Sequence, residues 1–360
     1  MPRLAILSTL LIAGALRAQP PAPQGPPPVT LSNDKMELTV RLTGAAFIKL
    51  VLLDDATRLS PLWTRGHFLC LDGFGAPTKE EDAAGWPNHG EAQQQRFEVE
   101  SSKTGAVSAL KMAAKLPLAQ ETVTRTVRMA DGENVVYVET ELESLVAFDR
   151  PISWAEHATV APPFLEPGKV TIDMPAKHCR VRPYKPGNLP PRLPYDKDFD
   201  WPMAPLVKGG TVNLLEVPVG EKYLDLATCQ IDPARDFGYV VAFHREKGLL
   251  FGYVFHRDQF PWLMSWMNYT GDARAARGIE FSTQPFDVSH RESVDAHEMF
   301  GTPTYRWLPA KSKLRSRFLF FYTKVPADFA PVADVVLEGG HVTIKDQAGK
   351  TVVLEARLGL

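Results

Sequence analysis

No run of one charge interrupts this chain of 360 residues, and its 40 basic residues nearly offset 42 acidic ones, for a formal net charge of −2. Nucleic acid binds through a basic surface that displaces its counterions, so it is disfavoured as a partner. The same balance, with no Arg/Lys cluster visible in the sequence, argues against a phosphorylated sugar. Cysteine is scarce. Cys70, Cys179 and Cys229 form an odd set, which leaves at least one thiol unpaired in a monomer and does not indicate a disulfide framework. No two of them have zinc-finger spacing. Helical periodicity is missing as well. Beyond the N-terminal segment, no window holds a 3.6-residue apolar period for a dozen residues, so short helical turns are the most that is expected. There is no Gly-rich phosphate loop, no Gly-x-Ser-x-Gly elbow, no EF-hand spacing and no internal repeat. His290, His297 and Glu298 do not make His-Glu-x-x-His, and Asp295, His297 and Glu298 could hold a metal only with help from elsewhere. Neither a metal nor an organic cofactor is expected.

The N-terminus reads as an export signal over residues 1–18. Arg3 supplies the positive start, Leu4 to Leu16 an apolar stretch, and Ala13, Ala15 and Ala18 small residues for cleavage after Ala15 or Ala18. That stretch is too short to span a bilayer comfortably, and no other approaches the ~20 residues required. An uncleaved anchor is the alternative. Residues 19–29 are proline-rich and read as an extended polyproline tether. The remainder, 30–360, shows no composition break and reads as one domain. The expected location is periplasmic or extracellular, with no membrane contact after cleavage.

What the chain has in abundance is strand signal. Val123, Arg125, Val127 and Met129 alternate with polar neighbours, Asp131-Gly132 marks a hairpin, and Val135 to Leu142 resumes period two. Turns at Lys103-Thr104-Gly105, Glu246-Lys247-Gly248 and Gln347-Ala348-Gly349 punctuate further strands, and Arg317 to Thr323 is Phe-rich. Pro183 to Pro205, with Tyr184, Tyr195, Phe199 and Trp201 interleaved, reads as a long ordered surface loop of the kind that often carries function. The fold class is all-β, a large antiparallel β-sandwich.

Three clusters carry candidate chemistry: Asn88-His89-Gly90-Glu91, Glu156-His157 before Pro162-Pro163, and Gly278-Ile279-Glu280-Phe281. Two imidazoles and a carboxylate suffice to move one proton onto a small molecule and another off it. His89 sits in a Gly/Pro-marked loop, where a surface turn histidine is the alternative, and Glu91 beside it could raise its pKa. His157 lies in a short strand, where a satisfied core histidine is common. Glu280 is flanked by neutral residues. Facing a pocket, it would acquire a raised pKa; otherwise it would pair with Arg274 or Arg277. Phe260, Trp262, Trp266 and Tyr269 crowd the approach to Glu280, and Trp86 flanks His89. Their flat faces suit the C–H faces of sugar rings, ordinary core packing being the alternative.

At these residues the chain resembles the galactose mutarotase-like group, the aldose 1-epimerases and their relatives, loosely from about residue 30 to 335. The resemblance implies a β-supersandwich. It also implies a reaction in which a His protonates the sugar ring oxygen, a Glu takes the anomeric proton, and the opened ring recloses on the other anomer. By motif His157 matches the general acid, Glu280 the base and His89 the helper. Arg65 is the nearest match to the sugar-binding arginine, without the usual neighbouring Asn. Asp225 or Glu221 matches the acidic sugar-binding residue. His157-Ala158-Thr159 departs from the family's His-Pro-Tyr-Phe type segment. The implied partner is a monosaccharide and the implied activity isomerisation without a cofactor. A silent carbohydrate-binding protein is one alternative. A polysaccharide lyase or hydrolase is another, and it would need a Tyr or a second carboxylate beside Glu280.

Overall fold

The computed structural model describes residues 27–185, 191–220, 222–270 and 275–360. The export-signal reading at 1–18, most of the proline-rich segment, Glu221 and Arg274 lie outside the described residues.

Two large antiparallel sheets form the body. One has eight strands in the order Val170–Asp173, Phe237–His244, Leu249–His256, Lys313–Lys324, Val135–Ser144, Glu121–Ala130, Val107–Leu116 and Glu98–Lys103. The other has nine. Its main path runs Asp198–Asp200, Ala176–Val181, Leu224–Ile231, Trp262–Asn268, Glu280–Ser282, Trp154–His157 and Phe68–Leu71, while Thr159–Val160 and Ala276–Gly278 pair beside it. The hairpin residues act where the sequence places them: Gly132, Gly248 and Gly349 all have positive φ between paired strands.

The Phe-rich strand shows how alternation builds layers. Phe318, Phe320 and Tyr322 join the core between the two sheets, with Phe281, Leu263 and Leu69 from the nine-stranded side. Leu319 and Phe321 point the other way, into a second core. A small C-terminal sheet, Val332–Glu338, His341–Asp346 and Thr351–Glu355, covers that second core. A strand apolar on both faces is thus one buried on both faces.

The proline-rich stretch after residue 183 is not wholly loop. Asp198–Asp200 adds an edge strand to Ala176–Val181, helped by cross-strand pairs of Arg180 with Asp198 at 2.5 Å and His178 with Asp200 at 3.0 Å. Cys179 and Cys229, directly opposed on neighbouring strands, form one disulfide, which the odd cysteine count alone does not reveal; Cys70 is free and buried.

One polar network lies inside the sandwich. Glu156 points between the sheets, where its Oε2 accepts from Arg125 Nη2 and from His67 Nε2, each at 2.8 Å. The other His67 nitrogen meets the Tyr253 hydroxyl at 2.9 Å, and the Arg125 guanidinium lies 4.8 Å over the Phe47 ring. All of these residues are buried. Burial alone would raise the Glu156 pKa, but Arg125 and His67 outweigh it and hold the carboxyl below its usual range. We predict that Glu156→Gln costs about 3–5 kcal/mol in urea unfolding, because it strands the Arg125 cation in the core. Adding Arg125→Met should recover much of that loss. A single-variant cost below ~1 kcal/mol would contradict the account.

Candidate active site

The site grows from the register of three strands on the outer face of the nine-stranded sheet. Ala155 pairs with Ser282 and Glu156 with Phe281, so the next step sets His157 opposite Glu280. On its other side His157 pairs with Phe68. Period two sends Glu156 into the sandwich and His157 out of it, where its ring stacks on Phe68 at 4.4 Å. Its Nδ1 lies 3.1 Å from Thr159 Oγ1 and 3.5 Å from Glu280 Oε1. Nε2 is the nitrogen left for a ligand.

The loop of Asn88, His89 and Gly90 folds over this row. His89 has φ 65° and Gly90 φ 74°. A Cβ on Gly90 would stand 1.8 Å from the Leu71 carbonyl oxygen, so only glycine lets the loop press onto the strand. The His89 ring meets that of His157 edge-on, with centroids 5.1 Å apart. His89 Nδ1 donates to the Phe74 carbonyl at 2.6 Å, which fixes the tautomer and presents Nε2 as an acceptor. Burial lowers its pKa, with the Phe74 bond opposing.

Glu280 is buried, and its Oε1 accepts no hydrogen bond among the described residues. Burial, reinforced by Asp287 and opposed by Arg182, raises its pKa well above the usual carboxylate range. Burial, reinforced by the neighbouring His89, pushes His157 well below the usual imidazole range. Burial thus drives each partner toward its uncharged form.

A cavity of about 570 Å³ opens on these groups, within the roughly 300–1,000 Å³ typical of small-molecule sites. His157, His89 and Glu280 all line it. So do Trp266 and Trp63, whose rings lie 6.0 Å apart at 40°, and Arg65, which sits over the Trp63 ring. Thus the cavity gathers His89, His157, Glu280, Arg65 and Trp266 from the sequence-based set.

Three members of that set lie elsewhere. Asp225 neighbours Leu226, which does line the cavity, and therefore faces the opposite side of the sheet; its Oδ2 lies 3.6 Å from Arg192 Nε. Trp262 is fully buried and donates to the Pro303 carbonyl at 3.1 Å, packing beneath Met299 and Phe286. Trp86 packs half-buried against the main core rather than in the cavity. Two expected electrostatic partners also differ. Glu91 is buried, accepting from the Leu118 and Ala119 amides, so it clamps a loop instead of charging His89. Arg277 turns away from Glu280, toward Tyr269 and the Leu214 carbonyl.

The cavity also contains groups that sequence reasoning did not single out as site residues: Arg41, Arg182, Tyr184, Asp287, Phe68 and Phe74. Arg182 Nη1 lies 3.5 Å from Asp287 Oδ2, and the Tyr184 hydroxyl also reaches that carboxylate. Gln284 holds the Asp287 loop by donating to the Phe286 carbonyl at 2.6 Å. The aromatic spacing of the proline-rich stretch pointed toward Tyr184; nothing in the sequence pointed to Arg41.

No family model matches the chain, and no curated protein matches it by sequence. Solved structures do resemble it. A protein from Synechocystis aligns with a TM-score of 0.60 at 12% identity, covering 86% of this chain and 100% of its own. A galactose mutarotase related enzyme from Lactobacillus acidophilus aligns at 0.56 and 12% identity, covering 82% and 97%. A galactose mutarotase-like protein from Clostridium acetobutylicum aligns at 0.57 and 12% identity, covering 82% and 95%. The likeness is one of architecture: the chain has the galactose mutarotase-like β-sandwich fold.

The seating of Glu280 depends on Gly278. A Cβ there would stand 2.5 Å from Glu280 Oε1 and 2.9 Å from Trp266 Cβ. Gly278→Ala should therefore displace the carboxylate and move its titration toward the ordinary range, read by carboxyl NMR, with the circular dichroism spectrum unchanged. An unmoved titration would show that the carboxylate is seated by something else.

Proposed function

We propose that the protein is an exported sugar mutarotase, an aldose 1-epimerase-like isomerase that interconverts α and β anomers without a cofactor. The observation that carries this reading is the directly opposed pair of His157 and Glu280, 3.5 Å apart at a cavity wall, with His89 beside it. One member takes the proton of the anomeric hydroxyl while the other delivers a proton to the ring oxygen. The C1–O5 bond breaks and an open-chain aldehyde forms. After rotation about C1–C2 the roles reverse, and the ring closes on the other face of the carbonyl. Because opening and closing need opposite protonation states, a pair holding one mobile proton serves both halves. His89 Nε2 accepts a sugar hydroxyl, Trp266 and Trp63 offer flat faces to the ring, and Arg65 donates at the mouth.

Export fits the leader-like residues 1–18, and the Cys179–Cys229 disulfide fits an oxidising compartment. A silent carbohydrate-binding protein is the second reading. It is favoured by the departure after His157, where Thr159 Oγ1 engages the Nδ1 that faces Glu280. A lyase using Tyr184 as base is disfavoured, because burial and Asp287 raise its phenol pKa, the wrong direction for a base.

Polarimetric mutarotation assays across a panel of aldoses test the proposal. Glu280→Gln and His157→Gln should each lower the rate by ~10²–10⁴-fold. Wild-type rates indistinguishable from the uncatalysed reaction, with binding retained, would leave the second reading standing. Stability should move the other way. The folded Glu280 pKa lies above its unfolded value of ~4.3, so wild-type stability falls as pH rises past that value. Glu280→Gln lacks that decline, and urea titrations should show its advantage growing as pH rises above about 4.

A further inference from the structure

We infer that the cavity is built for a sugar carrying a negative charge outside its ring, a carboxylate or a phosphate, held by Arg41 and Arg65. This rests on the reading of His157 and Glu280 as the anomeric end of the same cavity. Three guanidinium groups line it: Arg41, Arg65 and Arg182. Arg182 faces Asp287. Arg41 and Arg65 meet no carboxylate within salt-bridge distance among the described residues. Among the described residues Arg41 donates only to backbone, from Nε to the Thr43 carbonyl at 3.3 Å and from Nη2 to the Arg65 carbonyl at 2.7 Å. Arg65 sits 5.3 Å over the Trp63 ring. The Arg41 bond to the Arg65 backbone holds two cations on adjoining segments at the cavity mouth. Burial and then the charge of Arg65 lower the Arg41 pKa, as expected for like charges without a counter-ion.

Several arginines elsewhere on the surface do meet carboxylates, although Arg257, like Arg41, donates to a backbone carbonyl. Arg180 pairs with Asp198, Arg235 with Asp334, Arg315 with Glu141, and Arg317 with Glu139. Within the cavity, burial favours the uncharged form of Glu280, and Asp287 already faces Arg182 and Tyr184. The positive charge at the mouth is left unbalanced. A neutral aldose would not balance it. An oxyanion would, and the planar guanidinium fork suits carboxylate and phosphate alike. The chain's near-neutral net charge hides this because the cations come from distant positions and the acidic surplus lies elsewhere.

The test uses the full chain and two readouts, calorimetric binding and NMR or polarimetric anomer exchange. The probes are glucose, galactose, their uronates and glucose 6-phosphate. At least one anionic sugar should bind ~10-fold or more tightly than its neutral parent. Arg41→Gln/Arg65→Gln should erase that difference with the melting temperature unchanged, and neutral-sugar affinity, which loses only the Arg65 contact, should fall by less than anionic-sugar affinity. Preference for a uronate or for the phosphate then identifies the anion. Neutral parents binding as tightly as both anionic forms would overturn the inference, as would a double variant that keeps the preference. Arginine-dependent binding of an anionic sugar without accelerated anomer exchange would support this inference and sink the isomerase reading. Turnover of neutral aldoses in preference to charged ones would do the reverse.

Discussion

Two adjacent residues on one short strand organise this protein. Glu156 and His157 must point to opposite faces of the nine-stranded sheet, because successive side chains of a strand always do. Glu156 enters the sandwich and meets Arg125 and His67; His157 leaves it and meets Phe68 and Glu280. A slip of one residue would put imidazole among the core phenylalanines and carboxylate in the cavity. The buried ionic network therefore does more than satisfy a charge. Its partners come from the first long sheet and from the segment before Phe68, so forming it fixes the register of the strand that aligns the two proton-handling groups. Networks of this type add little net stability over apolar packing, yet breaking one partner is costly. That asymmetry suits a device that specifies alignment.

The same burial acts in opposite senses on the two faces. Inside the sandwich, desolvation of Glu156 is outweighed by a guanidinium and an imidazole, and the carboxyl stays ionised. On the outer face Glu280 has no arginine or lysine within salt-bridge distance among the described residues, so desolvation outweighs the pull of Arg182 and the pKa rises. The pKa values of two glutamates on neighbouring strands are thus shifted in opposite directions by what each faces. The difference needs no metal or special chemistry, only a choice of side.

Much of this was legible in the sequence, and the reasons it stopped are physical. Hairpin glycines and alternating strands gave the all-β sandwich, because turn conformation and side-chain parity are local properties. The clusters around His89, His157 and Glu280 stood out because each places an ionisable group in an otherwise apolar or loop context. Parity failed where strands are apolar throughout. In Leu224–Ile231 nothing local distinguishes Asp225 from Leu226, yet only the latter reaches the cavity. Trp262 and Trp266 share one strand and one face, but the loop carrying Met299 and Pro303 buries the first and leaves the second at the cavity. Cys179 and Cys229 become partners only through a strand pairing across fifty residues of sequence.

The arginines show the limit most plainly. Arg41 ends an N-terminal strand, Arg65 follows a tryptophan in a loop, and Arg182 comes just after Val181 closes its strand. Arg41 and Arg65 have no Asp, Glu, Lys or Arg within three positions, and Arg182 has only Arg180 and Lys185. Summing charges along the chain treats the molecule as uniform, whereas a ligand in a cavity responds to the few charges within about one Debye length, ~8 Å at physiological salt. A chain near electrical neutrality can therefore hold a strongly polarised site. Here the polarisation has direction: Arg41 and Arg65 stand at the mouth, and the His157–Glu280 pair, driven by burial toward its uncharged forms, lies on the sheet. An anionic ligand would be drawn in by the first and oriented so that its charged group stays there, which leaves the uncharged remainder of its ring to meet the proton-handling pair.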